Sequence, residues 1–188
     1  MSKNNHQLNS QKSIENIMNN LQCESYDEWI KNFALNLSDI WNDKSASKLR
    51  PNIDPQHDSE VHSWIVIGRG TSLKKNKHLE ILANSNYDGS IICTDGAFIT
   101  ALESGVTPDK FKKFYVATID PYRYTTKFYN AEIVKKYGSK INGIFTVIAN
   151  HDTVSSARQA GINIHWIHSL FDYDEGKKSF NQTSAIMV

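Results

Sequence analysis

The chain has 188 residues, 39% of them hydrophobic, and a formal net charge of +1. That length suits one α/β domain with an appendage, and the balanced charge carries no bulk signature of nucleic-acid binding. No apolar run approaches the ~20 residues of a membrane helix, and the start Met1-Ser2-Lys3-Asn4-Asn5-His6-Gln7 has no apolar signal segment, so the expectation is a cytoplasmic protein without nucleic-acid or membrane partners.

Residues 1 to about 12 are polar and read as disordered. Ile14, Ile17, Met18 and Leu21 then recur at helical spacing. After Ser25, a candidate cap, a second helix carries Ile30, Phe33, Ala34, Leu37 and Trp41 as its apolar stripe. No strand separates the two. A polar segment over 48–60 with Pro51 and Pro55 reads as a linker. Residues 1–60 are therefore expected to be an N-terminal helical appendage with its linker. It would pack on the main domain or on a partner chain, as in a homodimer.

From Trp64 strands and helices alternate. Strands are predicted over 64–67, 90–94, 114–119, 143–149 and 163–167, and helices over 72–83, 97–104, 125–137 and 153–160. Gly105, Gly138 and Gly161 each follow a helix, as a stop should. The alternation predicts a Rossmann-like, mostly parallel sheet over 61–188. The strands are apolar runs without strict alternation, as strands covered on both faces are. Ser184-Ala185-Ile186-Met187-Val188 reads as the beginning of a strand, either a terminal edge strand or the mark of a chain truncated there. The two cysteines, Cys23 and Cys93, form no Cys-x-x-Cys pair; they read as free thiols and speak against a structural zinc site.

Parallel strands deliver their carboxyl ends to one edge, where open α/β sheets bind ligands. Ile67 leads into Gly68-Arg69-Gly70-Thr71-Ser72-Leu73. Two glycines let backbone amides approach an anion, and Thr71 or Ser72 can cap the following helix, whose dipole favours a phosphate by ~0.3–1 kcal/mol. Leu73 stands where a dinucleotide fingerprint needs its third glycine, and the Gly-Lys-Ser/Thr of a Walker A loop is missing. Arg69, Lys74, Lys75 and Lys77 surround the loop, either as a solvated face or as a phosphate-attracting rim. Two further strands end in aspartate, at Thr94-Asp95-Gly96 and Ile119-Asp120-Pro121. Either acid alone reads as a helix cap or turn former. Together, at equivalent strand ends, they suit Mg²⁺, which is usually held by one or two carboxylates plus substrate phosphates. Asn150-His151-Asp152 closes the fourth strand. Asp152 is expected to cap the next helix, while Asn150 and His151 reach a ligand. His165 and His168 are three apart on a strand, point to opposite faces and do not make a metal pair. Asp109 reads as a loop residue, and Trp64 and Trp166 as packed in or beside the core.

The ordered succession Ile67 to Leu73, Thr94-Asp95-Gly96-Ala97, Leu102-Glu103-Ser104-Gly105-Val106-Thr107-Pro108-Asp109 and Ala117-Thr118-Ile119-Asp120-Pro121 resembles the 6-hydroxymethylpterin diphosphokinase MptE-like family, itself similar to thiamine pyrophosphokinases. The resemblance covers roughly Trp64 to Asp172. It implies an Mg²⁺–ATP-dependent diphosphotransferase acting on 6-hydroxymethyl-7,8-dihydropterin, with AMP leaving. Carried over by motif, Gly68, Arg69, Gly70, Thr71 and Ser72 bind ATP. Asp95 and Asp120 are the catalytic, metal-binding acids. His151 is the candidate for proton transfer or substrate orientation. The family loop often has proline where this chain has Thr71, and the pyrophosphokinase relatives have a second acid where it has Thr118. The alternatives are a nucleotide-sugar-using glycosyltransferase-like domain and a non-catalytic nucleotide-binding module, since a shared domain does not fix a substrate.

Overall fold

The structure is a computed structural model in which residues 26–49 and 63–168 are described. The helical pattern over 14–21, most of the linker over 48–60 and the run 184–188 lie outside these residues.

Six strands pair in parallel: β1 (Lys44–Ser45), β2 (Trp64–Ile67), β3 (Ser90–Thr94), β4 (Phe114–Thr118), β5 (Asn142–Thr146) and β6 (Asn163–Ile167). Their order across the sheet is β1-β6-β5-β4-β3-β2, an α/β, Rossmann-like arrangement. The helices are α1 (residues 26–42), α2 (Ser72–Lys75), α3 (His78–Ala83), α4 (Asp95–Glu103), α5 (Thr126–Tyr129), α6 (Glu132–Tyr137) and α7 (His151–Gln159). From β2 to β6 the chain steps across the sheet in one direction. Right-handed crossovers therefore bring the connecting helices to the same face, and α4 touches α5 and α6 while α5 touches α7.

The register places Ile91, Cys93, Phe114, Val116, Phe145 and Trp166 on that face, all sealed from solvent. A row of ring contacts crosses it: Phe98 to Tyr129 at 6.1 Å, Tyr129 to Phe145 at 5.6 Å and Phe145 to Trp166 at 6.5 Å between centroids. Each such pair adds ~0.5–1.5 kcal/mol beyond the area it buries. The expected cover on both faces is met on one face by the described helices. On the other, Val66 is 67% exposed and Trp64, tilted against the Tyr115 ring, is 41% exposed, so only Trp166 of the two tryptophans enters the core.

Several elements depart from the sequence expectation. The helix over 72–83 is broken at Lys77, which is left-handed with φ 53°, and gives α2 and α3. The helix over 125–137 is split at Asn130–Ala131 into α5 and α6, with a 3-10 turn at Arg123–Thr125 before them. Gly105 and Gly161 take the left-handed φ of 87° that a helix stop uses, but Gly138 does not. There the chain continues as a 3-10 turn, and a Cβ would sit 1.7 Å from the carbonyl oxygen of Ala160. Close approach, not backbone conformation, demands that glycine.

Of the expected stripe of α1 only Phe33 faces inward, while Ile30, Ala34, Leu37 and Trp41 are exposed. Asn32, Phe33, Asn36 and Ile40 face inward. Polar residues win this face because α1 docks on loop carbonyls. Asn32 Nδ2 donates to the carbonyls of Pro121 (2.8 Å) and Ile148 (3.2 Å), and Asn36 Nδ2 to those of Ala149 (2.8 Å) and Val147 (3.4 Å). At its other end Asp43 joins Arg158 of α7 and accepts from Trp166 Nε1 at 2.9 Å. The N-terminal helix is thus bolted to the carboxyl edge of the sheet, and β1, which no pattern in the sequence marks, follows it onto the free side of β6.

Candidate active site

The carboxyl ends of β2, β3, β4 and β5 meet at one edge. After β2, residues 68–72 are exposed, and neither glycine is crowded: a Cβ on Gly68 meets nothing within 4 Å, and one on Gly70 only Ser72 Oγ at 3.5 Å. The loop is tight, with Gly70 N donating to Gly68 O at 3.0 Å. Its expected capping is not formed. Thr71, at the N-cap of α2, is itself in the helical region (φ −63°, ψ −25°), whereas a side-chain cap needs extended backbone. With α2 only four residues long, the dipole behind this loop is slight. The basic residues Lys74, Lys75 and Lys77 are exposed, Lys77 lying 3.9 Å from Glu80.

The second and third turns carry the acids. Thr94 holds the N-cap of α4, so Asp95 is the first helical residue rather than the cap. Its Oδ1 accepts from Gly96 N at 2.6 Å. Arg69 reaches from the β2 loop across Gly96, where a Cβ would meet Arg69 Cδ at 2.9 Å. Asp120 is fixed by its own turn: Oδ1 accepts from Tyr122 N at 2.9 Å, and Oδ2 accepts from the Tyr124 hydroxyl. Burial holds the half-buried Asp95 carboxyl above the usual carboxylate range. The Asp120 charge pushes it the same way, while the Gly96 amide and Arg69 pull it back. Tyr124 is pushed up to about 12, chiefly because its hydroxyl donates to Asp120, so it remains a donor at neutral pH. Asp95, Asp120 and Arg69, three residues selected from the sequence, therefore come together in one electrostatic cluster. Tyr124 completes it; the sequence signal was its spacing four residues after Asp120 on the same turn.

His151 is placed differently. It opens α7, and Asn150, not Asp152, caps that helix: Asn150 Oδ1 accepts from Asp152 N at 3.1 Å and Thr153 N at 3.3 Å. Asp152 instead pairs with Arg123 at 2.9 Å on the surface. His151 Nδ1 lies 3.0 Å from Asn36 Oδ1. Since the Asn36 amide nitrogen already donates to two carbonyls, its oxygen accepts and Nδ1 carries the proton. Nε2 is then the basic nitrogen of the neutral ring. Asn150 N donates to Asp120 O at 3.4 Å and Thr146 Oγ1 to Ile119 O at 3.2 Å, which fastens the β5 turn to the β4 turn.

Thr118 and the remaining candidates stand apart from this edge. Thr118 is fully buried on the helix-covered face and shares a hydrogen bond with the Tyr129 hydroxyl. Asp109 forms an ion pair with Lys140. His165 is buried, with Nδ1 3.1 Å from Asn163 O.

Among the described residues no group of three or more His, Cys, Asp or Glu side chains is arranged to hold a metal. Asp95 and Asp120 supply two hard carboxylate donors, a set that suits a divalent cation whose other ligands are substrate phosphates and water. Two mutually repelling acids with one guanidinium beside them can take up a cation and a polyphosphate together. No protein-family model matches the chain, and neither the curated proteins nor the solved structures contain a match.

Proposed function

We propose that this protein is an Mg²⁺–ATP-dependent diphosphokinase that transfers a pyrophosphoryl group to the hydroxymethyl of 6-hydroxymethyl-7,8-dihydropterin. The observation that carries the reading is the convergence of Asp95, Asp120 and Arg69 at the carboxyl edge of the sheet. Asp95 and Asp120 would hold the cation; bound Mg²⁺ neutralises phosphate charge and polarises the phosphoryl oxygens. Arg69 and the open amides of Gly68 to Ser72 receive the triphosphate. His151, with Nδ1 held by Asn36, turns Nε2 to the acceptor and orients its hydroxyl. Catalysis of this kind rests on positioning and electrostatics, so a strongly basic residue is not required. The substrate assignment rests on the family resemblance, and a cytoplasmic site of action agrees with it.

The test is AMP release from ATP with Mg²⁺ and the reduced pterin. Asp95→Asn and Asp120→Asn should each abolish turnover while the thermal unfolding profile stays cooperative, and His151→Ala should cost less than either. Release of AMP at the wild-type rate by both acid variants would sink the assignment. Turnover of a nucleotide sugar with ATP untouched would replace it by the glycosyltransferase reading.

A further inference from the structure

The turn that carries Asp120 also carries three large apolar side chains in solvent. Ile119 is 64% exposed, Tyr122 46% and Tyr124 53%. Single exposed apolar residues are ordinary, but a group of them around a carboxylate marks a binding surface. The group is also rigid. Tyr124 is held by its hydroxyl on Asp120, by the Tyr122 ring at 6.5 Å and 21°, and by Lys127 Nζ 5.9 Å from its ring centroid. Tyr122 has its N–H on Asp120 Oδ1, and its carbonyl accepts from Thr125 Oγ1 at 2.9 Å. Below them, Thr125 is buried and bonded to Thr153 at 2.8 Å, and Asn32 holds the Pro121 carbonyl. A pre-organised aromatic surface loses little freedom on binding, which is what stacking recognition needs. Ile119 and Tyr122, exposed beside the braced Tyr124, offer a contact surface.

We infer that Ile119 and Tyr122, backed by Tyr124, form the stacking platform for a planar heteroaromatic ring. The platform places that ring directly beside the Asp95–Asp120–Arg69 cluster. The inference rests on the proposed transfer reaction for its biological meaning, but the platform itself binds without chemistry. Two rings in that reaction share the required chemistry, the acceptor pterin and the adenine of ATP. The position on the acid-bearing turn, across the Asp95–Asp120 pair from the glycine loop, favours the acceptor. Tyr122 is then the residue that selects flat acceptors over aliphatic alcohols.

The experiment is equilibrium binding of 6-hydroxymethylpterin to the full chain, followed by its own fluorescence, with adenosine as a parallel probe. Both are measured without metal or triphosphate, so the result does not depend on turnover. Wild-type protein should bind the pterin, quench its fluorescence and bind adenosine more weakly. Tyr122→Leu should lose the quenching and at least about tenfold in affinity, the scale of one lost stacking contact. Tyr122→Trp should restore both. Asp95→Asn, which leaves both Asp120 bonds to the turn in place, should retain binding even where AMP release is lost. Equal affinity for Tyr122→Leu and wild type, or no binding by wild type, overturns the platform. Tighter binding of adenosine than of the pterin overturns its assignment to the acceptor. Absence of AMP release by the wild-type protein, with pterin binding intact, leaves the platform standing and rejects the transfer reaction instead.

Discussion

Asn36 is the residue on which the N-terminal helix, the β5 turn and His151 all depend, and its removal has a calculable cost. Asn36→Ala deletes the bonds to Ala149 O (2.8 Å) and His151 Nδ1 (3.0 Å) and the long one to Val147 O (3.4 Å). The two short bonds are worth ~1 kcal/mol each net, and a buried carbonyl left without its donor adds up to ~1–3 kcal/mol unless water reaches it. The expected loss is about 2–5 kcal/mol, equivalent to roughly 4–20 °C in melting temperature for a domain of this size. Urea denaturation followed by tryptophan fluorescence reads the stability, and ¹⁵N chemical shifts of the His151 ring read the tautomer. Both should change together, since one amide sets both. Asn36→Asp should be worse at neutral pH, because a carboxylate facing two carbonyls has no proton to give. A loss under about 0.5 kcal/mol for Asn36→Ala, or an unchanged His151 tautomer, would refute the docking of α1 on this edge.

Asp95→Asn should stabilise the fold at neutral pH and raise its melting temperature above that of wild type, because burial disfavours the ionised carboxylate. The sign follows from the carboxyl being raised: the folded state holds its proton above the ordinary value of 3.8, so wild-type stability falls as pH rises from there through the raised value. Melting temperatures of both proteins from pH 3 to 8 should therefore diverge with rising pH, and parallel curves would contradict it. Gly138→Ala should cost at least about 3 kcal/mol or prevent soluble expression, since the Ala160 carbonyl is backbone and cannot step aside cheaply; a wild-type urea midpoint would disprove the close approach. Cys93 is buried and its thiol is pushed up to about 12 by that burial, so iodoacetamide at pH 8 should leave it unlabelled until denaturant is added, as read by peptide-resolved mass spectrometry.

What the sequence made legible was whatever local pattern and chain order decide between them. The apolar runs at Trp64, Ser90 and Asn163 are strands with the expected bounds because short runs of aromatic and β-branched residues between turn signals suit a strand. Asp95 and Asp120 meet because parallel strands separated by helices must end on one edge, and that follows from order alone. What stayed hidden depends on partners remote along the chain. Lys77 turns left-handed without the glycine that would announce it. Apolar spacing on α1 points to Ile30, Leu37 and Trp41, while the surface the helix meets is a row of loop carbonyls that select Asn32 and Asn36. β1 exists only because β6 offers an edge.

Thr118 shows the same division at the site itself. It stands two residues before Asp120, where the resemblance to thiamine pyrophosphokinases leads one to expect a second acid. Strand alternation and register decide instead that its side chain leaves the ligand edge for the covered face, where Tyr129 meets it. An acid there would be a buried carboxylate whose nearest described partner is a phenol, costing several kcal/mol unless it took up a proton. The absence of that acid therefore removes nothing from the Asp95–Asp120 pair. The donors that complete the edge come from elsewhere: Tyr124 on the same turn, and Asn36 through His151 from a helix that the motif does not include. The candidate site is thus a product of two segments, one recognisable by its turns and one only by what it touches.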